Sequence, residues 1–315
     1  MTSADRSTKI ARELEDKQRA LAITRKSELL EAKHVSGQLM MWPEEDRAAP
    51  NEFLRSGLFS SRNRNVPRSV YLAQNPLQIS VVGGGHISFI GEEVRQDDQT
   101  VWLQLVQLSK AARCPSVTFT PHSFLKAIDW PTTGPSYSRL LGTIRRLSAC
   151  TVEVYSTRHD RGVSTRLLAG YEYSHNDQKL WTVKVFDRED RLLFLYEKLY
   201  SRIDWETRLA LPEGVATWLH SFFCTHQEPY ALKIETLLRG AGIEVDVDAT
   251  EDEELSPQEQ ASRKRTRLRD AKKILKRALD ALVAVGFLKA YEISKAGLVS
   301  VIRTDPALRK RGELN

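Results

Sequence analysis

Apolar residues return along this chain at two periods, the 2-residue period of strands and the 3.6-residue period of helices, and the order of the two predicts its elements. From Leu77 the pattern alternates through QISVV, breaks at Gly83 to Gly85 and resumes through HISFI, which predicts a β-hairpin turned by residues that tolerate positive φ. Helical spacing follows at Val101, Leu105, Leu108 and Ala112, with Asp97 or Asp98 placed to cap. VTFT (117–120) reads as a short strand, Pro121 opens a helix through HSFLKAI, DWPTTGP stops it, and YSRLLGTIRRLSAC (137–150) starts another. TVEVYSTR (151–158), a polar turn at HDRG, VSTRLLAGYEY and later LWTVKVF are strand-like. Helix, strand, helix, turn, helix and ribbon is the order of a winged helix-turn-helix, whose wing would turn around Arg158, His159 and Arg161.

The same order recurs after residue 190. PEGVATWLHSFFC (212–224) predicts an apolar helix, Tyr230 to Leu232 a short strand, KIETLLRGAG (233–242) a second helix ending in glycines, and about Pro257 to Val285 a long amphipathic third. FLKAYEI and LVSVIR then form a hairpin around Ser294 to Gly297. The fold class expected is α+β, with tandem winged helix-turn-helix domains at 69–190 and 191–315. Residues 1–36 are polar, with eight basic and six acidic side chains, and cannot bury much of a face. They predict a partly helical or disordered arm, joined to the first domain by a proline-marked linker or loosely packed strap that ends near residue 68.

Composition narrows the class. The 315 residues carry 47 Lys+Arg against 41 Asp+Glu, and the mean hydropathy is −0.41. No apolar run approaches the ~20 residues of a membrane-spanning helix, and the charged N-terminus lacks a secretory pattern, so a cytoplasmic protein with no membrane partner is expected. Cys114, Cys150 and Cys224 are scattered, which suits a reducing compartment. The formal charge of +6 conceals an uneven distribution: residues 244–254 hold seven acidic side chains and no basic one, while residues 262–277 hold nine Lys or Arg against Asp270 alone. Such a basic helix fits phosphate, because each neutralised phosphate releases condensed counterions; a solvated helix face is the other reading of the same run.

In the first candidate recognition helix, Tyr137, Leu140, Leu141, Ile144 and Leu147 recur at core spacing, which leaves Ser138, Arg139, Gly142, Thr143 and Arg146 on the opposite face. Short side chains there permit close approach to a groove, and the two arginines can reach guanine edges or phosphates. In the second, Leu268, Ala271, Leu275, Ala278 and Leu282 make the seam, with Arg263, Arg267, Lys273, Lys276 and Arg277 outside. Most of these serve as phosphate contacts, since so many cations exceed what one groove uses for base reading. Enzyme signatures are weak. The triple glycine lacks the GK[ST] ending of a phosphate-binding loop, and His220, Cys224 and His226 have no fourth ligand at metal-site spacing. No catalytic activity, metal or cofactor is expected.

Five blocks in order, WPEEDRAAPNEFLRSGLFSSRNRNVPR (42–68), ISFIGEEVRQDDQTVWLQL (87–105), DWPTTGPSYSRLLGTIRRLSA (129–149), KLYSRIDWETRLAL (198–211) and SFFCTHQEPYALKIETL (221–237), give the chain its resemblance to the TrfA family of plasmid replication initiators. The resemblance implies tandem winged helices that bind iteron repeats in double-stranded DNA at a plasmid origin. It also implies melting of adjacent A·T-rich DNA, recruitment of the host chromosomal initiator and replicative helicase, and a monomer–dimer equilibrium through the first domain. It further implies a peptide that docks on the polymerase sliding clamp, for which Gln38, Leu39, Met40, Met41 and Trp42 are the matching residues; folding of this segment onto the first domain is the alternative. Two units reading successive major-groove segments would sit about 34 Å apart. A transcriptional repressor built from the same winged helices is the rival function.

Overall fold

The computed structural model describes residues 42–157, 160–173, 180–187, 200–243 and 257–304. The segment from Trp42 to Ser61 is built into the body rather than strapped across it. Strand β1 (Asp46–Pro50) pairs antiparallel with β10 (Tyr200–Asp204), joining residues about 150 positions apart, and the short helix α1 (Asn51–Leu54) is buried throughout. Trp42, Ala48, Phe53, Leu54, Leu58 and Phe59 all belong to the first core. Phe53 and Phe59 pack on Trp102, whose indole N–H donates to the Leu167 carbonyl at 3.0 Å.

Strands β2 (Val70–Tyr71) and β3 (Leu77–Ser80) both pair with β4 (His86–Glu92). The β3–β4 turn falls on Gly83, Gly84 and Gly85, all at positive φ, and a Cβ on Gly85 would meet the Tyr155 carbonyl oxygen at 2.6 Å. The expected hairpin is therefore present. Helix α2 (Gln96–Ala112) follows; Asp98, at its third position, accepts the Arg95 backbone N–H at 2.7 Å and so caps its start. Strand β5 (Ser116–Phe119) leads to α3 (Pro121–Ala127), which Thr120 caps by accepting Ser123 N–H and which Pro121 opens. Helix α4 (Gly134–Ala149) comes next, with Leu140, Ile144 and Leu147 fully buried.

After α4 the chain departs from the expected order. Strands β6 (Thr151–Ser156) and β7 (Arg161–Thr165) do not form the ribbon of the helical unit. They extend the β2/β3–β4 sheet, with β6 beside β4 and β7 at the edge. The ribbon that closes the helical unit is β8 (Gly170–Glu172) with β9 (Trp181–Lys184), and β9 pairs with β5. Alternation alone made both hairpins equal candidates; the partner strand decides between them. Arg161 accordingly opens a strand of the five-stranded sheet, and Arg158 lies outside the described residues.

Helix α5 (Trp205–Ala210) connects to the second unit: α6 (Val215–Cys224), β11 (Leu232–Lys233), α7 (Ile234–Gly240), α8 (Pro257–Ala284), β12 (Leu288–Ile293) and β13 (Leu298–Arg303). Its sheet runs β11–β13–β12, and that of the first unit β5–β9–β8. Both units thus follow helix, strand, helix, helix, strand, strand, and in both the first strand pairs with the last. The α8 seam is as expected at Ala271, Leu275, Ala278 and Leu282, to which Leu279 is added; Leu268 is half-buried.

The units meet over a polar seam. Trp218 donates its indole N–H to the Ser56 carbonyl at 3.0 Å, Arg55 binds Thr225 through Nε and Nη2, and Ser61 N–H donates to the Ala241 carbonyl at 2.8 Å. Gly57 lies so close to Gly242 that an added Cβ would stand 2.8 Å from its Cα. At the centre is Arg208, fully buried, which donates to Ser221 Oγ at 2.9 Å and Gln99 Oε1 at 3.0 Å, with Gln96 and Thr100 at 3.3 Å. Burial lowers this guanidinium to about 10, which leaves it a cation at neutral pH. Among the described residues no helix is long and apolar enough to cross a membrane.

Candidate nucleic-acid interface

An exposed basic surface runs along α8 from Arg263 to Arg277. Arg263, Arg267, Lys273, Lys276 and Arg277 all lie on its outside, with Arg265, Arg269 and Lys272 exposed beside them. Lysine and arginine dominate that surface because the seam leaves the positions on the far side of the helix to water, and Asp270 stands 3.7 Å from Arg269.

Helix α4 is differently placed. At about 100° per residue, Thr143 lies only about 60° around the helix from Leu140, whereas Ser138 and Gly142 lie about 160° and Arg145 about 140° from it. Thr143 is fully buried and belongs to the packed side, which corrects its expected place on the groove face. Ser138 is exposed, and a Cβ at Gly142 would meet nothing within 4 Å. Arg145 is exposed and donates to the Tyr173 hydroxyl at 2.8 Å. Its phase relative to Leu140 was legible in the sequence, yet it was not among the expected site residues.

Arg139 and Arg146 stand at the flanks, where α4 meets the start of α2, and neither extends as an unengaged base reader. Arg146 donates to Asp98 Oδ1 at 3.0 Å and to Glu92 Oε1 at 3.0 Å. Arg139 donates to Asp97 Oδ2 at 3.0 Å and to Glu213 of the second unit at 3.2 Å, with its guanidinium 3.8 Å from the centre of the Trp130 ring. A third arginine, Arg68, reaches the same acidic pair, Asp98 at 2.7 Å and Asp97 at 3.1 Å. The residue types that cap α2 are those that bind these arginines, so one Asp–Asp step serves both ends. Burial acts to raise the Asp97 carboxyl, but Arg68 and Arg139 outweigh it and hold it below the usual carboxylate range. Burial and the neighbouring Asp97 charge hold Asp98 above that range, against Arg146 and Arg68.

Although 40% of its side chain is exposed, partial desolvation and then the charge of Asp97 raise Glu213 above its ordinary 4.5, with Arg139 opposing. A raised carboxyl means that folding favours the protonated form. The stability this group contributes is present below pH 4.5 and is lost as pH rises through its folded value. Glu213→Gln should therefore be as stable as the wild type or more so at pH 7, with the difference disappearing towards pH 4. Urea unfolding across that range checks it, and a variant less stable at pH 7 would show that the Arg139 pairing outweighs the burial.

The strap 62–68 was expected to be a loose linker, but it is pinned. Arg95, almost wholly buried, donates to the carbonyls of Asn63 at 2.7 Å, Val66 at 2.9 Å and Pro67 at 3.1 Å, and is itself bound by Glu93 at 2.6 Å. Arg64 and Asn65 are exposed on its outer side, next to α4. Neither was singled out from sequence; the RNRNVPR run carries the signal, but its neighbour α4 is about 70 residues away.

Trp42, expected as the aromatic end of a clamp-docking peptide, is buried. It donates to Gln107 Oε1 at 2.7 Å, packs on Tyr200, and its carbonyl accepts from Lys110. It is a core residue of the first unit and not an anchor offered to another protein. Gln38, Leu39, Met40 and Met41 lie outside the described residues, as does the acidic segment 244–254. His220 is fully buried with its ring edge on Phe287, and its Nε2 stands 3.9 Å from Cys224 Sγ. Among the described residues no group of three or more His, Cys, Asp or Glu is arranged to hold a metal ion.

The sequence pattern described as "TrfA protein" matches residues 3–278. Over 226 residues the chain is 30% identical to the plasmid replication initiator protein TrfA of Escherichia coli, a match that covers 70% of this chain and 58% of that protein. This chain belongs to the TrfA family. Crystal structures of domains 2 and 3 of RctB are similar at TM-scores of 0.48 and 0.45, with 12% and 13% identity, covering 81% and 79% of this chain and 98% and 95% of theirs.

Proposed function

We propose that this protein initiates plasmid replication by sequence-specific binding of double-stranded DNA, with each unit a winged helix-turn-helix and α4 and α8 as the helices that enter successive major grooves. The observation that carries this reading is the repeated topology together with what occupies its third-helix position in the second unit, a helix with eight exposed lysines and arginines between Arg263 and Arg277. Family membership and the similarity to the Escherichia coli plasmid replication initiator TrfA support the initiator role. The DNA would be repeated iterons at an origin. Opening of adjacent A·T-rich sequence would draw on binding free energy and DNA distortion, with nucleotide hydrolysis left to the host initiator and helicase.

On α8 the exposed lysines act as phosphate contacts. Lys273→Ala or Lys276→Ala should weaken binding to repeat and random DNA alike and lower the slope of log K against log salt by about one unit. An unchanged slope would remove that lysine from the interface. Footprinting on DNA flanking the gene tests the whole reading: direct repeats protected at helical-turn spacing are expected, and no protection anywhere in that DNA would overturn it.

A further inference from the structure

The strap at 62–68 and helix α4 enclose a cleft of about 400 Å³ whose lining includes Arg64, Asn65, Arg139 and Gly142. From this arrangement we infer that Arg64 and Arg139 form a seat for one backbone phosphate of bound DNA, beside Gly142, and that Glu213 occupies the place of that phosphate when DNA is absent. The inference rests on the DNA-binding reading above and adds to it a single phosphate site at the flank of α4, shared with the strap.

Three observations converge on the seat. Arg95 holds three strap carbonyls, so the strap is ordered before any ligand arrives, and its outward side chains Arg64 and Asn65 are presented at the cleft. Preorganised cations lose little conformational entropy on binding, which favours a site over a diffuse surface. Inside the cleft, Asp98 and Glu92 engage Arg146, and Asp97 and Asp98 engage Arg68, so these two arginines act as walls with their charge met. Arg139 shares Asp97 with Arg68, and its other carboxylate partner is Glu213, which accepts from Nη2 at 3.2 and 3.3 Å. Arg64 is exposed on the strap and lines the same cleft as Arg139. Two guanidiniums on one cleft, one of them bound by the Glu213 carboxylate, form an arrangement that a phosphodiester, with two oxygens sharing one charge, can enter by displacing Glu213 from Arg139. Approach of the duplex is unobstructed at Gly142, where nothing stands within 4 Å of a Cβ position.

The test uses the full chain and duplex DNA carrying the protected repeat, with methylphosphonate substituted at single linkages to remove one phosphate charge at a time. For wild type, one linkage next to the α4 contact should weaken binding when neutralised. In Arg64→Ala that same linkage should have no further effect, and the salt slope should fall by about 0.9, one phosphate's worth. Arg64 is exposed, so its loss leaves the fold intact. Glu213→Gln should tighten binding at every DNA sequence while retaining sensitivity to that linkage. An Arg64→Ala protein with wild-type slope and wild-type interference overturns the seat while leaving the DNA-binding function standing. A lower slope with undiminished interference overturns it too, by assigning Arg64 to diffuse attraction. If wild type protects no DNA at all, the function itself fails and the seat with it.

Discussion

Asp98→Ala is expected to cost about 3–5 kcal/mol of folding stability, the range for removing one partner from a buried ionic cluster. The carboxylate is fully buried and takes the Arg95 N–H that starts α2, Arg68 from the strap and Arg146 from α4. Its loss leaves the helix start uncapped and two arginines without their buried partner. Against a typical stability of about 5–15 kcal/mol, that is a large part of the total. Asp98→Asn retains an acceptor for the Arg95 N–H and should fall between the two proteins, which separates the capping contribution from the charge. Urea denaturation of the three measures this, and an Asp98→Ala midpoint equal to wild type would mean that the cluster contributes nothing net.

The second large effect is expected at Arg208. Arg208→Met keeps much of the side-chain volume and removes every donor, so the Gln99 and Ser221 acceptors are left buried and unpaired. One such orphaned group costs about 1–3 kcal/mol. Relief from burying a cation works the other way, and the lowering of Arg208 to about 10 is the measure of that burial. We expect a net loss of about 3 kcal/mol, with unfolding that splits into two transitions because the residue bonds both α2 and α6. A single transition at the wild-type midpoint would show that the other contacts between the units suffice.

Local pattern carried the helices well. The core line of α4, the seam of α8 and the glycine turn of β3–β4 all follow from spacing, because each depends on residues within a few positions of one another. What spacing could not supply was partnership across the chain. Nothing in TVEVYS says that it joins β4 rather than serving as a wing, and nothing in DRAAP says that it pairs with YSRID. Proline-rich segments read as linkers unless their carbonyls have donors, and the donor here, Arg95, lies about 30 residues downstream of the strap. The candidate site suffered likewise: the outward phase of Arg139 and Arg146 is roughly right, but the carboxylates that hold them come from β4, α2 and the second unit.

Helix α8 has a mechanical consequence. Its 28 residues span about 42 Å, and among the described side chains the first one buried is Ala271, halfway along. The leading half extends about 21 Å beyond that side chain, and a tilt of about 10° there moves its tip by about 4 Å. A base-pair step is about 3.4 Å. On the proposed reading, in which α8 enters a major groove, a shift of that size at its basic end matches one base-pair step, which lets the helix follow a bent duplex while Arg208 still bonds α2 and α6.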